Sequence, residues 1–314
     1  MSSIGVSVYA LSMMNKQTNE EINLNDVKGE NLIDIFINFM DDNNELYTNK
    51  KSMEKIFKTE DYEDNTYEKD NLELFRYSIG RLKTGAYGYS AEIVDANTGD
   101  INYNRGIADA EVMPFFFYLC VSTSETNRGI LLLETKGIYG VKTIFYKCFQ
   151  EYLNTNYKDI KLSIRTITPI TYVDKYLRHG ILQKIRFIRY NVPHDTLRQL
   201  GMNNGTEQVY DEYIIHKPLG FLDERRLTIR ECILGQSSIN NVIEIDGFEY
   251  ENIKLEFKFG GKNKTINLSN IENISVNEDI TNKVTLENGH PTKQSITPVL
   301  ENIAVDYLNE MGLI

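Results

Sequence analysis

The chain has 314 residues, 41% of them hydrophobic, with 20 Tyr and 14 Phe, enough for one large core or two ordinary ones. Its formal net charge of −11 argues, as an average, against a polyanionic partner. No apolar run approaches the ~20 residues that span a bilayer, and no basic leader precedes the first strand, so a cytoplasmic protein is expected. Cys120, Cys148 and Cys232 sit at no metal-like spacing and read as reduced thiols.

Residues 4–14 alternate like a strand. Leu32, Ile33, Ile35, Phe36, Phe39 and Met40 then repeat at helical spacing from about Glu30. Residues 45–48 read as a strand, and the acidic, weakly apolar span 59–70 as a loop. A strand-rich stretch over 74–94 follows. The turn signal Asp95-Ala96-Asn97-Thr98-Gly99-Asp100 joins 89–94 to 101–103 as a hairpin. Two short apolar runs, 113–121 and 129–137, flank a turn with Asn127 and Gly129 and read as buried paired strands. Val141, Ile144, Phe145, Cys148, Phe149 and Tyr152 give a helix face. Strands are expected over 161–168 and 181–192.

Beyond these, 195–201 reads as a helical turn, 208–216 as a strand and 223–234 as a helix. Strands follow over 242–245, 253–259 and 265–274. Lys254, Glu256 and Lys258 alternate with Leu255, Phe257 and Phe259, which is a half-solvated antiparallel strand. A final helix is capped by Thr297, carries Pro298 in its first turn and ends at Gly312. The expected fold is α+β, mainly antiparallel sheets with packing helices. The charge shift and the Asn203-Asn204-Gly205 turn place the domain boundary near residue 200. That leaves an N-terminal α+β domain over 1–200 and a C-terminal β-rich domain over 201–314.

The charge is unevenly spread. Residues 128–198 hold 13 Lys/Arg and 5 Asp/Glu, whereas residues 1–75 hold 7 and 16 and residues 199–314 hold 10 and 18. A basic middle between acidic ends suits steering of a polyanion, or an internal acidic–basic interface. Lys161 and Arg165 share one strand face, and Lys184 and Arg186 share another; Arg189 falls off that alternation. Lys175 and Arg178 lie between these strands, and Lys142 and Lys147 lie outside the apolar face of the preceding helix. These nine residues are the candidate DNA-binding set, because phosphate contacts need cations converging on one surface.

Other chemistry is weaker. Leu133-Glu134-Thr135-Lys136 resembles the end of a metal-dependent nuclease motif, with Asp109 or Glu111 as the upstream carboxylate, but no Pro-Asp stands at the expected place. Arg189-x4-His194 is broken by Pro193, and His179, His194, His216 and His290 are scattered. Gly137-Ile138-Tyr139-Gly140-Val141-Lys142-Thr143 lacks the glycine spacing of a phosphate loop and reads first as a strand-to-helix turn, although a helix N-terminus with Lys142 nearby could still hold a phosphate. No catalytic residue, metal or cofactor is assigned.

The order of parts from Met113 onward resembles the RexA-type phage-exclusion sensor family: an apolar strand pair, a helix, two basic strands, a turn ending in leucine and glycine, a Lys-rich β-hairpin and a C-terminal helix. The resemblance implies a cytoplasmic, homodimeric sensor that binds double-stranded DNA and acts with a membrane effector encoded nearby in anti-phage defence. It supplies no catalytic motif, and the acidic N-terminal third has no counterpart in it. Two other readings remain: a metal-dependent nuclease using Glu134 and Lys136, and an acidic protein-interaction subunit.

Overall fold

The computed structural model describes residues 3–167, 170–199, 201, 209–259, 262–268 and 277–314. The chain divides into two compact units, residues 1–165 with 276–314, and residues 166–275. The first contains β1 (Ile4–Asn15), α1 (Leu32–Asp41), β2 (Thr48–Lys50), β3 (Lys55–Lys69), β4 (Leu72–Ala86), β5 (Ala91–Val94) and β6 (Ile101–Arg105). It continues through β7 (Glu111–Ser122), β8 (Gly129–Lys136), β9 (Tyr139–Gly140), α2 (Lys142–Asn156) and β10 (Ile160–Thr166), which reaches the division. The second unit holds α3 (Ile170–His179), β11 (Ile181–Arg189), α4 (His194–Gln199), β12 (Asp211–His216), α5 (Phe221–Ile233), β13 (Asn252–Phe259) and β14 (Lys262–Asn267). The chain then returns to the first unit with β15 (Asn277–Asp279), β16 (Leu286–Glu287), β17 (His290–Pro291) and α6 (Lys293–Glu310).

The fold is α+β with antiparallel sheets, as the sequence predicts. The boundary is not at residue 200. The second unit is an insertion, and α6 belongs to the first unit because Ile296, Leu300 and Leu308 are buried in a helix that contacts β7 and β8. No helix among the described residues is long and apolar enough to cross a membrane.

The large sheet runs β10-β1-β8-β7-β4-β3-β2, with β15 on β1 and β9 on β8. Its centre explains the long apolar runs. Phe115, Phe117, Leu119, Val121, Leu131 and Leu133 pack with α1 and α2, while the alternate residues Phe116, Tyr118, Cys120, Ile130 and Leu132 are buried on the opposite side. A strand covered on both faces is apolar at every position rather than at every second one. Asn31 caps α1 by accepting from the Ile33 N–H at 2.8 Å. Phe36 then meets Phe117, Phe145 and Phe149 edge-on at 5.3–6.0 Å.

In the second unit the sheet order is β12-β11-β13-β14. Leu182, Ile185, Phe187, Ile253, Leu255 and Phe257 face Val173 and Leu177 of α3 and Ile229 of α5. Lys184, Arg186, Lys254 and Glu256 occupy the other parity, as expected.

Three local expectations are corrected. Residues 59–69 form the far half of β3, not a loop. There Lys83–Glu60, Arg81–Asp61 and Arg76–Asp64 ion pairs and a Tyr67–Phe75 stack join β3 to β4, contacts that a one-strand hydropathy pattern does not register. Residues 242–245 form no strand; a 3₁₀ turn over Ile239–Asn241 precedes them, and the backbone carbonyl of Ile243 accepts from the Tyr250 hydroxyl. The cap of α6 is Thr292, not Thr297. Thr297 instead donates back to the Lys293 carbonyl at 2.7 Å, and Pro298 lies within the helix. The turn expected at Asn203, Asn204 and Gly205, and the 269–274 part of the last expected strand, lie outside the described residues.

Candidate functional site

Four of the nine cations lie in the first unit. Lys142 opens α2, and its ammonium sits 4.4 Å from the Tyr9 ring centroid, where burial lowers its pKa. Lys147 donates to the Ser52 hydroxyl. Lys161 and Arg165 are exposed on β10, while Ile160 and Leu162 of the same strand turn into the core. Neither makes an ion pair among the described residues.

The other five lie in the second unit. Lys175 and Arg178 are exposed on α3, and Arg178 makes no ion pair among the described residues. Lys184 pairs with Glu256 at 3.2 Å. Arg186 binds Glu212 through two guanidinium nitrogens at 2.6–2.9 Å and reaches Glu256 at 3.6 Å. Arg189 donates to Asp211 at 2.9 Å and lies 4.6 Å over the Phe248 ring.

Within the second unit, therefore, Lys184, Arg186 and Arg189 are each paired with an acid and do not form a free basic face. The positive excess of 128–198 belongs to one stretch of chain, but β12 and β13 bring acids from outside it. Arg189 stands opposite Asp211, and Lys184 opposite Glu256. Residues 166–275 carry 14 Lys/Arg and 14 Asp/Glu, so the second unit is neutral and the −11 falls on the first. Lys161, Arg165 and Arg178 are the exposed cations of the set that keep their charge unpaired by described acids.

Glu134 and Lys136 share the α6-side face of β8. Glu134 is 1% exposed; one carboxylate oxygen accepts from the Phe116 N–H at 2.8 Å, and the other has no partner. Burial raises its pKa to about 7, against the opposing pull of that hydrogen bond and of the Lys136 and Arg81 charges. Lys136 donates to the Gly289 carbonyl at 2.8 Å. His290 follows, its pKa lowered by burial and by the same two cations. Arg81 was illegible as a neighbour of Glu134, and His290 as a neighbour of Lys136, because each comes from a distant segment. Asp109 is held by the Tyr103 hydroxyl and the Gly106 N–H, and Glu111 begins β7 five residues before Phe116, ~16 Å along the strand. Neither expected upstream carboxylate joins Glu134. Among the described residues no three His, Cys, Asp or Glu side chains are grouped to hold a metal ion.

The Gly137–Thr143 segment is a turn, the short β9 and the start of α2. Val141, at the cap position, supplies no side-chain hydrogen bond, and the first turn carries no acid. No family model matches the chain, and no curated protein matches it either.

Proposed function

We propose that the chain is a non-enzymatic, cytoplasmic, homodimeric sensor subunit of an anti-phage exclusion system. It contacts double-stranded DNA and acts with a membrane effector encoded nearby. The observation that carries the DNA contact is the pair Lys161 and Arg165, exposed on the outward face of β10 and free of acidic partners among the described residues. Two cations on one strand face reach neighbouring phosphates without giving up an existing ion pair, whereas Arg186 and Arg189 must first leave Glu212 and Asp211. The RexA-type resemblance supports the cellular role and the effector.

So few free cations on an acidic chain predict weak binding that low salt strengthens. A duplex titration of the full chain at low ionic strength, repeated with Lys161→Glu and Arg165→Glu together, tests it. Binding lost in the double variant, with the fold kept, supports the reading. Absence of binding at low salt, or equal binding by the double variant, overturns it.

A further inference from the structure

Two cavities adjoin on the α1/α2 side of the large sheet, beyond the amino end of α2, and both touch Gly140. The first, about 230 Å³, has a floor set by strand register. Lys55, Ala86 and Glu111 stand side by side on β3, β4 and β7. The small Ala86 leaves a gap between two charged side chains whose strands lie ~10 Å apart. Phe115 continues that face, and Tyr89 and Tyr139, each about half exposed, supply two more aromatic rings. The Arg105 guanidinium, 4.1 Å over the Tyr89 ring and bonded to the Asp109 carbonyl at 2.8 Å, fixes that ring in place. Thr84 lines the same cavity, is 6% exposed, and its hydroxyl has no partner among the described residues.

The second cavity, about 240 Å³, is lined by Tyr9, Glu134, Thr135, Lys142 and Thr143, among others, at the first turn of the 15-residue α2; the Glu134 carboxylate itself bonds the Phe116 N–H of β7. The leading N–H groups of that helix have no side-chain cap, and its first turn carries no acid to offset their partial positive charge. Lys142 adds an ammonium that burial against Tyr9 has partly stripped of water and that no described acid pairs. Uncapped amides beside an unpaired lysine are the chemistry of a phosphate seat.

An aromatic slot edged by one donor, Lys55, and one acceptor, Glu111, suits a planar base whose rim carries both kinds of group. Slot and phosphate seat share Gly140 in their walls, and together they reach the size of ordinary ligand sites, ~300–1,000 Å³. We infer that this cleft binds a mononucleotide, with its base in the aromatic cavity and its phosphate at the amino end of α2. The site is separate from the DNA contact on β10 and does not depend on it.

Gly140 offers a direct probe. A Cβ built there meets only the Thr135 methyl, at 3.5 Å, and its φ is not in the left-handed region, so a larger side chain enters the cleft without backbone strain. The experiment is calorimetric titration of the full chain with AMP, GMP, CMP and UMP, with the matching nucleosides and inorganic phosphate as controls. At least one nucleotide is expected to bind in the submillimolar range, about tenfold or more tighter than its nucleoside and than inorganic phosphate. Lys142→Ala should erase the advantage over the nucleoside. Tyr139→Ala should weaken nucleotide and nucleoside alike, and Gly140→Val should abolish binding while its melting curve stays that of the parent. Lys161→Glu with Arg165→Glu should leave nucleotide binding intact, which separates this site from the DNA contact. The inference is overturned if none of the four nucleotides binds, if inorganic phosphate binds as tightly as the best nucleotide, or if Lys142→Ala and a folded Gly140→Val bind like the parent.

Discussion

Arg186 on β11 grips Glu212 on β12 with two nitrogens, on the side of the small sheet opposite its core. Glu212's side chain is 13% exposed, so it depends on this partner more than a surface acid would. Arg186→Ala is expected to cost about 1–3 kcal/mol, chiefly by leaving that carboxylate unpaired. A double-mutant cycle with Glu212→Ala, read by urea melts, should return a coupling of the same order. Additive single effects would show the pair to be a surface contact without energetic weight.

The two aromatic cores should respond separately. Phe187 is fully buried with its ring 5.0 Å from Tyr250, and Phe36 is fully buried among Phe117, Phe145 and Phe149. Phe187→Ala and Phe36→Ala are each expected to cost roughly 3–5 kcal/mol through the cavity left behind. Hydrogen exchange should place the first loss in residues 166–275 and the second in the remainder. A change spread evenly over both units in either variant would contradict the division.

Glu134 gives a pH signature. Its pKa rises in the fold from an ordinary 4.5 to about 7, so the folded state holds a proton that the unfolded state releases. The associated stability is complete below pH 4.5 and is lost as pH climbs through about 7. His290, with its pKa lowered, titrates with the opposite sign, so the parent is compared with a variant rather than read alone. Glu134→Gln keeps an acceptor for the Phe116 N–H and removes the titration. Relative to the parent it should gain on the order of 3 kcal/mol between pH 5 and pH 8 in denaturant melts. Parallel pH profiles for the two proteins would contradict the buried-acid assignment.

The secondary structure was legible where pattern reflects burial on the strand's or helix's own faces. Leu131, Leu133 and Phe117 announced β8 and β7, and Phe36 with Phe39 announced α1. The outer half of β3 was not legible, because Glu60, Asp61 and Asp64 are held by cations of β4 rather than by their own hydrophobicity. The insertion was hidden for a similar reason: a chain read in order has no mark showing that α6 returns to the sheet begun by β1. The candidate site suffered most. Lys184, Arg186 and Arg189 look like a basic surface until β12 and β13 supply Asp211, Glu212 and Glu256 by register. Lys161 and Arg165 carried the same signal in the sequence and kept it in the fold.

The most direct test of the DNA contact is the salt dependence of duplex binding, because each phosphate contact contributes about −0.9 to the slope of log K against log salt. The full chain should bind a short duplex with a negative slope. Lys161→Ala with Arg165→Ala should flatten that slope by about two while thermal melts remain unchanged. A slope that the double variant leaves unaltered, or no duplex binding at ~50 mM salt, would contradict the claim that β10 meets DNA.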